Sequence, residues 1–417
     1  MTEYYPIKKS YTEFGLNSYE KKENLIQFNQ DKVSGYFNNW IDTFVTAEKP
    51  IREWATLFWH EFIPCAGRGQ RTSVNLEQNY FTWELYRRNA LGSFRQLLVD
   101  YYQNPSSMYF LDIHRSYKEN PNENFARELL ELYTLGSGNF TEKDVEEVAR
   151  CFTGLHYDNG DAYTQKAFRI DSQFDSGRKT ILGKSGNFYP EDVIDLLLER
   201  KECAFFVVNR AIQFFLGEGA SQNFINKCAT YYYQENYDFS KLLYFMFRQD
   251  EARNPRFKKI KSPIEHLVFL QRDLGLRTLG HKTNAWFLRK CGQFPLSPWT
   301  VKGWTQGIGW LQSEYLLHRT YLPIVLLRLS NRKDARDSAT YKIKSRFVDA
   351  QLKEARYIVD SAFNHEAFNG KLASLGLTPN QYLLGDKEPN DWSLEDCLIH
   401  PRYQYLNYRE TQGLFTT

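Results

Sequence analysis

Residues 121–136 read Pro121-Asn122-Glu123-Asn124-Phe125-Ala126-Arg127-Glu128-Leu129-Leu130-Glu131-Leu132-Tyr133-Thr134-Leu135-Gly136. The run has too many apolar positions for a surface helix, yet it embeds polar side chains among them, so the pattern predicts a buried helix. On a 3.6-residue period Asn124, Arg127, Glu128 and Glu131 share one face, with Arg127 and Glu131 at i,i+4 spacing. Gly136 stands where a left-handed residue closes a helix. Carboxylates in a low dielectric must be paired, protonated or bound to a cation. Two readings follow: Glu128 and Glu131 are metal ligands or an acid/base pair, or they join Arg127 and neighbouring arginines in a structural ion network. The second is favoured, because buried ion networks perturb the same groups without doing chemistry.

Working outward, apolar residues recur at helical intervals over 22–47, 50–62, 73–90, 93–103, 142–155, 190–200, 202–216, 238–248, 262–274 and 310–329. Thr141 with Asp144, and Ser262 followed by Pro263 and Glu265, carry helix-start chemistry. The exception is 162–183, where two β-prone runs at 162–170 and 179–182 flank a polar turn at 171–178, predicting one β-hairpin. The fold class expected is all-α, a multi-helix body with that hairpin inserted. Residues 1–330 form its core, and 331–417 read as a charged peripheral helix and tail.

The 417 residues are 42% hydrophobic and 25% charged, which excludes disordered, collagen-like and disulfide-scaffold classes. A net charge of +3 is too balanced to drive nucleic-acid binding. The six cysteines form no Cys-x-x-Cys pair and read as buried free thiols. No secretory leader and no apolar run of membrane-spanning length is present, so the chain as written is expected to be cytoplasmic without a membrane span.

A second polar cluster, Trp59-His60-Glu61, ends an apolar helix and leads into the basic Gly-rich loop 66–71. That loop lacks the preceding strand and the Lys-Ser/Thr of a P-loop, and reads as a surface turn. His60, with no second histidine at ligand spacing, reads first as a satisfied core residue. Arg87, Arg88 and Arg150 are expected as counter-charges for the carboxylates. Trp299, Trp304 and Trp310, set among glycines, offer a carbohydrate-stacking face, although such rings more often wedge a loop onto the core. The Gly-x-Ser-x-Gly elbow, His-Glu-x-x-His and the dinucleotide Gly fingerprint do not occur in the sequence, so the common hydrolase, zinc-protease and Rossmann readings have no support.

Taken together, Phe58-Trp59-His60-Glu61, Arg88 to Phe94, the 122–136 helix, Phe140-Thr141 into Asp144-Val145, Ala149-Arg150 through Thr153-Gly154, Asp175 to Lys179 with Leu182-Gly183, Gly292-Gln293, Val301 to Trp304 and Arg319 resemble domain-of-unknown-function family 1800, a largely bacterial family. The resemblance spans about residues 50–320. It implies a mostly helical body, members that are commonly exported, and a neighbouring gene product resembling phosphatases and sulfatases as a candidate protein partner. It implies no reaction. Carried over by position, His60, Arg127, Glu128, Glu131, Arg150, Asp175 and Lys179 are the candidate catalytic residues, and His60, Glu128, Glu131 and Asp175 are the candidate metal ligands.

Members resembling this chain usually read Trp-His-Glu-His and Gln-His-Asp-x-Gly, whereas here Phe62 and Phe174 replace the two second histidines. Gln306-Gly307 likewise stands for a Gly-Gly. Phenylalanine neither ligates metal nor carries a proton. The expectation is that both histidines face one site with Glu128 or Glu131 in typical members, where a divalent metal would bind. This chain would then keep the scaffold without that chemistry and hold no cofactor. The expected function is a non-catalytic binding or assembly component; the alternatives are a metal-assisted hydrolase or oxidoreductase and a carbohydrate-binding protein.

Overall fold

A computed structural model of the chain describes residues 40–66, 76–157, 167–253, 259–272 and 281–312, with positions 315, 318, 319 and 322. Among the described residues the helices after a helical stretch at 40–46 are α1 (Ile51–Phe62), α2 (Leu76–Asn89), α3 (Phe94–Tyr102), α4 (Pro105–Phe110), α5 (Asn124–Glu128), α6 (Glu142–Cys151), α7 (Pro190–Leu198), α8 (Lys201–Phe215), α9 (Gln222–Gln234), α10 (Phe239–Arg248), α11 (Pro263–Arg272) and α12 (His281–Lys290). Among the described residues the architecture is mostly helical, with two small antiparallel hairpins. No described helix is long and apolar enough to cross a membrane. The segment 331–417 lies outside the described residues, as do 22–39, 162–166 and most of 310–329.

α1 sits at the centre. Ten of its twelve residues are buried, because it is apolar on nearly every face. Phe58 stacks on Phe62 and Phe239 at 5.6 and 5.1 Å, and Trp59 stacks on Phe94 at 5.2 Å while its indole N–H donates to Ala90 O at 3.0 Å. Beyond the helix, Tyr86 and Tyr101 donate to the carbonyls of Ile63 and Pro64 at 2.6 and 2.7 Å, which satisfies backbone that the helix end leaves open.

The 121–136 segment departs from the expected simple helix. After α5 the chain widens into a π-turn, Leu129–Thr134, where Leu135 N–H and Gly136 N–H both reach Leu130 O at 2.9 and 3.1 Å. Phe125, Leu129, Leu130 and Tyr133 are buried, but Arg127, Glu128 and Glu131 are only half-buried. Arg127 does not pair with Glu131. Both oxygens of Glu142 meet its guanidinium at 2.9 and 2.7 Å, with Glu123 adding a contact at 3.1 Å. A bidentate carboxylate outcompetes a single-point neighbour, and the i→i+5 turn moves Glu131 off the α-helical period. Gly136 closes the segment at φ +77°, with the Phe206 ring about 3.0 Å from where a Cβ would sit.

The single expected hairpin is replaced by two. β1 (Leu155–His156) pairs with β2 (Phe168–Arg169), and β3 (Lys179–Ile181) pairs with β4 (Lys184–Gly186). The second turns through Leu182 and Gly183, both with positive φ of 50° and 81°. That two-residue geometry matches strand twist, and the unfavourable leucine is held by its N–H on Asp144 Oδ1 at 2.7 Å. α4, α9 and α12 lie outside the expected helices. α9 is polar at most positions and packs through Phe224, Cys228, Ala229 and Tyr232, a sparse stripe. The five described cysteines are free and buried.

Candidate functional site

Two consecutive α1 residues face different surroundings, since each helical step turns the side chain by about 100°. His60 points into the core. Its Nε2 accepts the Leu296 N–H at 2.7 Å, and its ring stacks on Tyr86 at 4.9 Å and meets Trp304 edge-on at 4.8 Å. Burial pushes its pKa down to about 3, so the imidazole is neutral. It anchors the 292–304 loop to α1. Gly303 makes that docking feasible, because a Cβ there would lie 2.5 Å from Glu61 O at a φ of +87°.

Glu61 points instead into a cleft of about 370 Å³ lined by α1, α8, the 259–265 segment and the 306–310 loop. Phe58, Phe62, Phe214 and Trp310 supply its apolar walls. Glu61 Oε1 accepts from Gln306 Nε2 at 2.9 Å, and Gln306 Oε1 accepts from Arg210 Nη1 at 3.0 Å. The amide therefore bridges an acid and a base, and no direct ion pair between the two is seen among the described residues. Burial pushes the Glu61 carboxyl up to about 7, with Arg210 and Lys259 opposing the shift and Glu265 adding to it. Burial likewise works against the charge of Arg210, and Glu61 partly offsets it. On another wall Lys259 pairs with Glu265 and donates to Phe214 O. Glu265 in turn caps α11, accepting from Ser262 N at 2.8 Å, while its own N–H reaches Ser262 Oγ at 3.3 Å.

The remaining candidate residues lie elsewhere. Arg150, Asp175 and Lys179 do come together, as a network that ties the second hairpin to α6. Arg150 Nε donates to Asp175 Oδ2 at 2.7 Å and its Nη1 to both Glu147 oxygens at 3.1 and 3.0 Å. The buried Lys179 ammonium donates to Asp175 O and Gly177 O at 2.5 and 3.0 Å. The Arg150 guanidinium holds the Asp175 carboxyl below the usual carboxylate range. Glu128 and Glu131 stay on the half-buried 121–136 segment, where burial and the neighbouring Glu131 raise the Glu128 pKa against Lys302 and Arg127.

Phe62 packs with Phe58, Trp59, Phe94 and Phe206 beneath Arg210, whereas Phe174 stacks on Tyr189 at 5.1 Å with Arg169 and Lys179 over its face. Among the described residues the two rings have no ring or cation neighbour in common. Phe62 instead shares the cleft with Gln306, the other position at which this chain departs from the resembling pattern. Arg87 and Arg88 answer Glu53 and Asp100, not Glu128 or Glu131. Of the three tryptophans only Trp299 is open, at 69% exposure; Trp304 and Trp310 are buried, so the three do not present one open face.

Sequence reasoning missed Arg210, Lys259 and the inward role of Glu265. Glu265 was visible only as a cap, and Arg210 carried no signal beyond its place on an apolar helix. No group of three or more His, Cys, Asp or Glu among the described residues is placed to hold a metal ion. A family model described as protein of unknown function, DUF1800, matches residues 7–383. No curated protein and no solved structure matches the chain.

Proposed function

This chain belongs to the family of proteins of unknown function, DUF1800, and from that premise we propose that it acts as a non-catalytic binding component through the cleft beneath α1. One observation carries this reading: Arg210 and Glu61, which keep hydrogen-bonding capacity to spare, line the cleft, while Arg150, Asp175 and Lys179 are engaged in holding the fold. His60 Nε2 accepts a backbone amide, Asp175 accepts from Arg150, and Lys179 donates to the backbone carbonyls of Asp175 and Gly177 ahead of the second hairpin. A lone pair already bound to a protein donor is not open to a substrate proton or a metal ion. Around the cleft, by contrast, Arg210 and Glu61 each make one hydrogen bond, to opposite ends of the same amide.

Elemental analysis of protein purified without chelators tests the reading. Substoichiometric metal, together with unchanged thermal stability after dialysis against a chelator, is the result expected. One equivalent of tightly held metal overturns it in favour of a metal-assisted hydrolase or oxidoreductase.

A further inference from the structure

Arg210 is the most underused strong donor around the cleft. Its guanidinium carries a fork of N–H groups suited to a planar oxyanion. Among the described residues, Nη1 alone finds a partner, Gln306, while the group lies 5.9 Å from the Phe62 ring centroid. Lys259, the other cation, is already paired with Glu265. An arginine edge left open beside aromatic walls is the arrangement that recognises a carboxylate attached to an apolar body. From these placements we infer that the cleft binds a small organic carboxylate, with its oxygens on the open edge of Arg210 and its body along Phe62 and Trp310. The inference deepens the binding function proposed above and rests on it.

Charge balance selects a monoanion. The cleft holds three carboxylates, Glu61, Glu218 and Glu265, against two cations, Arg210 and Lys259. A dianionic phosphate would enter a surplus of negative charge, whereas a single carboxylate is matched by Arg210 once Glu61 takes a proton. Lys259 and Glu265 neutralise one another, and Glu218 is exposed to solvent. Glu61 therefore sets whether the Arg210 charge is free. Ionised, it compensates Arg210 across the Gln306 bridge; protonated, it leaves the guanidinium to the ligand. Binding and proton uptake are then coupled, and affinity rises as pH falls.

Isothermal titration of the full chain with sodium hexanoate, and with hexanamide as the uncharged control, tests the proposal. Hexanoate should bind saturably at about pH 6 and about tenfold more weakly at about pH 8, since Glu61 changes charge between them. Hexanamide should bind at least tenfold more weakly than hexanoate. Arg210→Gln should abolish hexanoate binding, and Glu61→Gln should retain it while flattening the pH dependence. Absence of saturable hexanoate binding, equal binding of hexanamide, or a pH-independent wild type overturns the proposal. Should Arg210→Gln fail to fold, the hexanoate and hexanamide contrast in the wild type decides. Bound metal would overturn the non-catalytic reading while leaving hexanoate binding intact, so the two failures are distinguishable.

Discussion

Replacing Asp175 by asparagine separates a structural from a functional role for the Arg150 network. Asp175 accepts from Arg150 Nε at 2.7 Å, Arg150 Nη2 at 3.2 Å and Gly177 N–H at 2.9 Å, and its side chain is only 18% exposed. Asparagine keeps the shape and one acceptor but removes the charge that strengthens both arginine bonds. Hydrogen bonds to charged groups contribute about 1.5–3 kcal/mol, so the substitution should cost about 2 kcal/mol. Arg150 retains Glu147, which prevents the larger penalty of an abandoned charge. Urea denaturation followed by circular dichroism reads the loss, and a double-mutant cycle with Arg150→Met should give a coupling of about 1–3 kcal/mol. The sign of the pH dependence is set by the lowered carboxyl. A folded pKa below the unfolded value of about 3.9 means that this stabilisation is present at neutral pH and is lost only as acid approaches the folded value. The Asp175→Asn variant should therefore differ from the wild type at neutral pH and converge with it in strong acid. A cost under about 0.5 kcal/mol at neutral pH, within the range of ordinary surface substitutions, would refute the structural assignment.

Three further outcomes follow. Gly303→Ala places a Cβ 2.5 Å from Glu61 O at a φ of +87°, and should destabilise by about 3 kcal/mol or more in a thermal or urea melt. His60, neutral in the core with a pKa of about 3, contributes stability that is full above its unfolded pKa of about 6.5 and is lost as pH falls towards the folded value. Wild-type stability should thus fall across that acid window, and His60→Phe should reduce the slope while costing about 1–3 kcal/mol for the orphaned Leu296 N–H. Phe62→His and Phe174→His combined should add to within about 0.5 kcal/mol of their separate costs and create no zinc affinity in a calorimetric titration, because the rings occupy different surroundings. Coupled costs or tight zinc binding by the double variant would contradict that placement.

How far the sequence was legible follows from the range of each interaction. The helix starts at Thr141 and Ser262 announce themselves because their partners, Asp144 and Glu265, lie three residues on, and both pairs form. α1 is legible because its large apolar residues, Trp54, Leu57, Phe58, Trp59 and Phe62, recur at helical spacing and need an interior to occupy. The second hairpin escapes the sequence pattern because its turn uses Leu182 in a left-handed conformation, which local chemistry disfavours and which Asp144 sustains from 38 residues away. The cleft lies further beyond local reading. Its bridge joins Glu61 to Gln306 across 245 residues and Gln306 to Arg210 across 96, so no spacing within any one segment encodes it.

What the sequence does mark correctly at this place is its irregularity. Phe62 and Gln306 stand out singly against the resembling pattern, and Glu61 lies beside a histidine that draws attention to itself. Residue type favours His60 as the chemical member of that pair, but one helical step decides otherwise. His60, sent into the core, is neutral, with Nε2 held by the Leu296 N–H and Nδ1 without a partner among the described residues, whereas Glu61 lines the cleft, where a ligand can reach it. That placement, more than residue type, makes Glu61 the titratable member of the pair, in the cleft that Arg210 shares.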